Sequence, residues 1–200
     1  DLRKEVARMD EIVPFGSRLY FALLALLVFS RGMDFLSTYV ATPRLVLEGN
    51  PIARWLGWRW GIPFNLAISV ALAASPLATI VVSTTSLLVA ARNFQSAWLM
   101  RSVGEEVYRD WHLARIRETR ITLYLACLAG NTLLVALVGG ALMLFSGGRL
   151  VPFGIGMGVV AYAFAVALYT ILALWRIRRA EDRRLQRPER PEVSPPMLAE

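Results

Sequence analysis

The residues best suited to chemistry lie close together between Ser30 and Pro51. Asp34 is the only acidic residue inside any of the long apolar runs of this sequence, and Arg31 lies three positions before it. A charged side chain in the middle of a bilayer costs at least ~2.5–3.5 kcal/mol. Ionisable residues at such depth therefore favour function, and a carboxylate there can bind a cation, relay a proton or act as a general base.

The spacing predicts that the polar residues of this stretch share one face of a helix. They recur at steps of three and four, which brings side chains together on a helix surface. Arg31 can pair with Asp34, and Thr38, one turn further on, can hydrogen-bond the same carboxylate. The face is either a structural polar seam that fixes helix register or a functional site, and the sequence leaves both readings open. Its members are Ser30, Arg31, Asp34, Ser37 and Thr38.

A polar turn follows this helix. The helix should end before Pro43, because the residue that precedes a proline is biased away from helical angles. Glu48 and Asn50 then flank Gly49, which suits a tight turn. These two side chains either fold back over the end of the helix above Asp34 or serve as an ordinary solvated loop acid and a helix N-cap.

The same residues carry a resemblance to a known family. A D-x-x-S-T pattern begins at Asp34 and an E-x-N-P pattern begins at Glu48. Together they resemble the signature of a family of small prokaryotic four-helix membrane proteins of unknown function, over about residues 20–90. The resemblance implies a fold and a candidate polar site but no activity. Arg31 and the Arg-rich tail lie outside that pattern.

Composition places the chain in a membrane. Of its 200 residues 56% are hydrophobic, and its mean hydropathy is +0.49; soluble domains rarely contain runs of about twenty apolar residues. We predict an all-α polytopic membrane protein with four transmembrane helices and a cytoplasmic amphipathic helix. A single Cys excludes an internal disulfide, and a single His excludes His-rich metal sites and bis-His haem ligation. No cofactor or metal is therefore expected on the chain's own ligands, and contact with lipid or pigment at the surface is left open.

Apolar runs and charged segments divide the chain. Residues 1–18 are predicted to form a cytoplasmic amphipathic segment, residues 19–176 the transmembrane domain, and residues 177–200 a basic, Pro-rich tail. Within the domain, residues 92–120 are predicted to form an amphipathic helix on the cytoplasmic face. Ser75-Pro76 is expected to kink the second span. The predicted spans are 19–41, 62–91, 121–146 and 151–175.

Small residues and one amide indicate where the helices pack. Small side chains let helices approach closely in lipid, and such residues are concentrated in the third and fourth predicted spans. Asn131, near the centre of the third span, is predicted to hydrogen-bond the polar face of the first. The predicted packing residues are Gly130, Gly154, Gly158, Ala161 and Ala165.

Tryptophan and arginine predict the membrane boundary and the orientation. Trp prefers the membrane–water interface, so all six are predicted to be interfacial anchors. Seventeen Lys and Arg residues fall in segments 1–18, 92–120 and the tail counted from Arg176, against four in the two opposite loops. This asymmetry predicts a multi-pass protein of the cytoplasmic (inner) membrane with both termini in the cytoplasm. The anchors are Trp55, Trp58, Trp60, Trp98, Trp111 and Trp175.

Three functions are compatible with these features. The first is a non-catalytic accessory or scaffolding subunit that packs against other membrane proteins, for example in an energy-converting complex. The second is a small membrane enzyme or transporter whose polar site includes Asp34, Glu48 and Asn50, although no nucleophile–base pair is present. The third is a module that binds anionic lipid through its Arg-rich segments. Membrane lipids and other membrane subunits are the expected partners; nucleic acid is not, because the positive-inside rule accounts for the net charge of +7.

Overall fold

The computed structural model describes residues 12–185, and every regular element in that range is an α-helix. Four helices, α1, α3, α5 and α6, are long and apolar enough to cross a membrane by length and composition. This confirms the predicted all-α fold with four candidate membrane-spanning helices. The six helices are α1 (Arg18–Ala41), α2 (Pro51–Leu72), α3 (Pro76–Val103), α4 (Glu105–Glu118), α5 (Ile121–Leu144) and α6 (Leu150–Leu185).

The predicted second span over residues 62–91 is divided between two helices, so this prediction was wrong. α2 ends at Leu72, and α3 begins at Pro76 after a short reversal of the chain. The side-chain oxygen of Ser75 accepts a hydrogen bond from the backbone N–H of Ala78, at 3.2 Å, and Pro76 occupies the first helical position. A Ser N-cap followed by Pro is a signal for a helix start, whereas a kink was predicted at this position.

The predicted surface segment 92–120 is also divided. Its first part extends α3 to Val103, and its second part forms the separate amphipathic helix α4. Gly104, with φ of 91°, marks the boundary between them. At the ends of the chain, residues 1–11 and 186–200 lie outside the described residues, and with them most of the predicted N-terminal segment and tail.

α1 and α3 run parallel to each other. The backbone N–H of Val13, just before α1, donates to the carbonyl of Ala74, just before α3, at 2.8 Å. Further along, Arg31 contacts Ser86, and Ser37 contacts Asn93, so the contact residue on α3 advances along the chain together with that on α1. Since α2 connects the end of α1 to the start of α3, it must run back along them.

Two contacts show that α2 does so over the full length of α1. The hydroxyl of Tyr20, near the start of α1, donates to the carbonyl of Val70 at 2.9 Å. The indole N–H of Trp58 donates to the carbonyl of Pro43, just past the end of α1, also at 2.9 Å. α2 is not one of the four helices that meet the length and composition of a membrane span, yet it lies alongside α1 from Tyr20 to Pro43.

The remaining long helices extend this arrangement sideways. α6 packs parallel to α3, with Gly154 beside Ile80 and Gly158 beside Thr84. α5 packs antiparallel on α6, where Gly139 faces Gly156. The extensive interfaces therefore run from α1 to α3, from α3 to α6 and from α6 to α5, which makes an open row of helices with α2 beside α1.

The parallel course of α1, α3 and α6 contradicts the predicted alternation of spans. Residues 12–17 and the C-terminal end of α6 lie at opposite ends of the row. The prediction that both termini lie in the cytoplasm counted α2 and the first half of α3 as one crossing, and the side of the membrane on which each terminus lies stays a prediction. α4 begins beside the end of α1, so it lies at the end of the row that is opposite to Val13.

Candidate functional site

The polar residues of α1 converge on the guanidinium of Arg31. Its Nη1 donates to Asp34 Oδ2 at 3.0 Å and to the Ser86 hydroxyl at 3.1 Å. Its Nη2 donates to Asn65 Oδ1. We call these four residues the Arg31 cluster, and they join α1, α2 and α3 at one point.

Local helix geometry explains the cluster. Arg31 and Asp34 are three positions apart on α1, which places their side chains on one face. Asn65 is oriented from its own helix, because its Nδ2 donates to the carbonyl of Gly61 at 2.8 Å. The Arg31 side chain is 29% exposed and that of Asp34 is 18% exposed, so the ion pair is largely, but not fully, enclosed by the protein.

Asn65 and Ser86 were not predicted as members of this site. Asn65 could have been recognised as a candidate from the sequence, since it is the only amide in the apolar part of α2, between Trp60 and Leu72. An amide at such a position needs a polar partner. The partner was not deducible because the sequence argument placed α2 and α3 in one continuous helix.

Polar contacts continue from the Arg31 cluster toward the C-terminal end of α1. Ser37 and Thr38 both accept hydrogen bonds from the amide of Asn93 on α3, at 3.3 and 3.2 Å. Thr38 therefore contacts α3, and the predicted hydrogen bond from Thr38 to Asp34 is replaced by this one. At the end of α1, the Thr42 hydroxyl donates to Glu105 Oε2 at 2.6 Å.

We call the series from the Arg31 cluster through Asn93 to the Thr42–Glu105 pair the polar column. It runs along the α1–α3 interface from the middle of α1 to its end. Buried small residues surround it, including Ser30, Ser83 and Ala90, each at most 3% exposed. Because water is excluded there, the hydrogen bonds within the column hold the two helices in register.

Glu48 and Asn50 adopt the ordinary roles considered for them. Glu48 Oε1 accepts from the backbone N–H of Asn50 at 2.7 Å, and Asn50 Oδ1 accepts from the N–H of Ile52 at 2.9 Å. Asn50 is therefore the N-cap of α2. Neither side chain hydrogen-bonds Asp34.

Asn131 is remote from the polar face of α1, which contradicts the prediction that it pairs there. It lies exposed on α5, and α5 packs on α6, two helices away from α1. α5 packs on α6 through Gly139, and α3 and α6 lie between α5 and α1 in the row of helices. Gly130 also meets no other helix, because a Cβ added there has no neighbour within 4 Å.

The other predicted packing residues lie at or near helix contacts. A Cβ added at Gly158 would lie 2.6 Å from Thr84 Cβ, and one at Gly154 would lie 2.9 Å from Ile80 Cγ2. Both glycines thus permit the approach of α6 to α3. Ala161 and Ala165 are half-buried on the same helix. Gly139 and Gly156, two further small residues of the predicted spans, meet at the close α5–α6 contact, a pairing that the sequence did not specify.

The tryptophans divide into one packed residue and five exposed ones. Trp58 is half-buried, and its ring packs edge-on against Tyr39 at 5.7 Å between centroids. Its role is to hold α2 against α1, in addition to any contact with lipid headgroups. The interfacial role of the exposed residues stays a prediction; they are Trp55, Trp60, Trp98, Trp111 and Trp175.

Residues 12–185 bring together no group of three or more His, Cys, Asp or Glu side chains that could hold a metal ion. Arg109 in α4 instead pairs with Glu106 at 2.8 Å and with Asp110 at 3.1 Å, all on the exposed surface.

Comparison with protein-family models, curated proteins and solved structures finds no match to this chain.

Proposed function

We propose that this protein is a non-catalytic helical membrane protein that packs against other membrane proteins as an accessory or scaffolding subunit, for example in an energy-converting complex. The observation that carries the proposal is the open row of helices, in which α5 rests on a single neighbour. Gly139 is the one buried residue of α5. A helix that packs extensively on only one neighbour has the rest of its circumference available to lipid or to another protein.

The Arg31 cluster supports the same proposal. Its charges are paired with each other, and its remaining hydrogen bonds go to Asn65 and Ser86. A guanidinium that binds side chains of three helices holds those helices together. A self-neutralised group of this kind needs no substrate to account for its presence in the membrane.

The charges of the two ends favour one orientation. The end of the row that carries α4 and the last part of α6 is rich in arginine, including Arg101, Arg115, Arg120 and Arg176. By the positive-inside rule we place this end in the cytoplasm, in the cytoplasmic membrane. Residues 12–17 then face the opposite side, and α2 returns through the bilayer as a fifth, more polar crossing.

Native purification tests the proposal. The tagged full chain is extracted from its own membrane in mild detergent, and co-purifying chains are identified by mass spectrometry. We expect other integral membrane proteins in fixed proportion to the tagged chain. An Asp34→Asn variant, in which Arg31 retains an oxygen acceptor, is expected to assemble in the same proportion. Recovery of the chain without any other membrane protein would contradict the accessory role.

A transporter or membrane enzyme is the second candidate, and the polar column favours it. The column reaches an open cavity of about 490 Å³ whose lining includes Arg44, Met100 and Glu105. Asp34, at its inner end, is still 18% exposed. Under this alternative, Asp34→Asn would abolish proton or cation flux in proteoliposomes while expression and assembly stay normal. A flux that is equal in both proteins, or absent from both, would reject it.

A further inference from the structure

Asn131 places a polar side chain on the outer surface of α5. It is exposed, and it lies ten residues from the start of the helix, about 15 Å along the axis. In a helix of 24 residues this position is close to the middle of the bilayer. Within residues 12–185, no hydrogen bond joins the side-chain amide of Asn131 to another residue.

Such an amide is costly in hydrocarbon unless it meets another polar group. Transfer of an amide from water to an apolar medium without a hydrogen bond costs roughly 2–7 kcal/mol. The carboxamide of Asn has both donors and acceptors. It is therefore complementary to a second copy of itself, because each of two facing amides can donate to the other.

The surroundings of Asn131 have the spacing of a helix–helix contact. Steps of four, three, four and three residues make a continuous stripe on one side of a helix, as the a and d positions do in a coiled coil. Leu134 and Val138 on this stripe are 67% and 60% exposed. We call the stripe the α5 seam, and it comprises Cys127, Asn131, Leu134, Val138 and Ala141, all exposed.

We propose that the α5 seam binds the α5 seam of a second copy of this chain, with the two Asn131 side chains hydrogen-bonded across a two-fold axis along the membrane normal. This inference rests on the proposed function, that the exposed helices pack against other membrane proteins, and it names one partner.

Membrane insertion explains why a second copy fits this surface. Two copies in one membrane have the same orientation, so a two-fold axis along the normal makes the two α5 helices parallel and brings identical residues to the same depth. Asn131 then faces Asn131 without any shift between the helices. A single polar residue at an a position fixes register and partner number in this manner in coiled coils.

Cys127 provides a direct test, because it is the only cysteine in the chain and lies one turn from Asn131 on the seam. The full chain in proteoliposomes is oxidised with copper–phenanthroline and analysed on a non-reducing gel. We expect a disulfide-linked dimer that persists when the ratio of lipid to protein is raised. Asn131→Leu is expected to lower the linked fraction about threefold to fivefold, the effect of losing a hydrogen bond of ~0.6–1 kcal/mol between helices in lipid.

The matched control moves the thiol around the same helix. Ala129 is exposed and lies about 200° from Cys127, so a Cys127→Ala, Ala129→Cys variant should give no linked dimer. Three results would overturn the inference: no dimer from the native cysteine, equal linking from position 129, or an Asn131→Leu variant that links as before.

Failure of this inference is distinguishable from failure of the proposed function. If other subunits co-purify in mild detergent while Cys127 gives no linked dimer, the second copy is rejected and the accessory role stands. If Cys127 links efficiently and no other chain co-purifies, the dimer is supported and the accessory role in a larger complex is rejected.

Discussion

The guanidinium of Arg31 has five N–H donors, and its contacts reach side chains on three helices. Each of those partners is placed by its own helix, so the position of Arg31 depends on α1, α2 and α3 together. The ring of Phe35, one turn further along α1, lies 5.9 Å from the guanidinium carbon and covers it on one side. The contacts of Arg31 can therefore form only when the three helices are packed together.

Replacing Arg31 with Met should destabilise the protein by about 3 kcal/mol. This is the lower end of the range for a broken buried ion pair, because the two side chains keep 29% and 18% exposure. The loss arises mainly because the carboxylate of Asp34 is left without a counter-charge. Unfolding by SDS in mixed micelles, followed by circular dichroism, measures the change in the free energy of unfolding.

Two further variants distinguish this cause from a general loss of packing. Arg31→Met combined with Asp34→Leu should recover a large part of the stability, because the uncompensated charge is removed. Arg109→Met breaks an ion pair of the same type on the exposed surface of α4, and should cost less than ~1 kcal/mol. An Arg31→Met variant as stable as the native chain would show that the cluster does not join the helices.

Helix elements were predictable where hydrophobicity alone decides them. The first span, predicted over 19–41, is α1 over Arg18–Ala41, and α5 begins at the predicted residue. Periodicity also placed Arg31 and Asp34 on one face, because the repeat of an α-helix is local.

The division of the predicted second span was not recovered. Ser75-Pro76 suits both a kink inside a helix and the start of a new one. The choice depends on whether α2 finds partners along α1, and those partners are distant in sequence. For the same reason, Asn65 and Ser86 were not predicted to bind Arg31, and Asn131 was predicted to contact the wrong helix.

At Gly158 the packing of α6 on α3 leaves no room for a side chain. A Cβ there would lie 2.6 Å from Thr84 Cβ and 2.8 Å from the Val81 carbonyl oxygen. Gly158→Ala should therefore cost about 1–3 kcal/mol through overpacking, measured by the same SDS titration. Backbone atoms form part of the obstacle, so a rotamer change cannot relieve it.

Gly32 is the matched control on α1. It has a helical backbone, and a Cβ added there meets nothing within 4 Å. Gly32→Ala should be neutral or stabilising by up to ~1 kcal/mol, because Ala loses less backbone entropy in a helix. Equal effects at the two glycines would indicate that the contact between α3 and α6 is looser than described.

At the scale of the whole molecule, the parallel course of α1, α3 and α6 determines which surfaces share one side of the membrane. Phe15 and Phe145 are exposed at the end of the row where α1 begins. Arg109 is exposed on α4 at the other end. The alternation predicted from charge placed the segments around positions 15 and 109 together, so the two arrangements differ in a measurable way.

Cysteine labelling measures this difference. Single cysteines replace Phe15, Phe145 or Arg109 in a Cys127→Ser background, and sealed vesicles are treated with a membrane-impermeant maleimide. We expect positions 15 and 145 to react from one side and position 109 only from the other. Reaction of positions 15 and 109 from the same side would contradict the parallel arrangement and restore the predicted topology.

The reversal between Leu72 and Pro76 has a consequence for biogenesis. α1 and α3 are apolar enough to leave the translocation machinery alone, but α2 carries Arg54, Arg59 and Asn65 and is the least suited to do so. Insertion by hydrophobicity alone would set α1 and α3 in opposite directions. If α2 enters the bilayer as proposed, the parallel pair is retained, and Arg31 binds the carboxamide of Asn65 there. Under that proposal we expect the membrane topology of this chain to depend on assembly of the first three helices as well as on their successive entry.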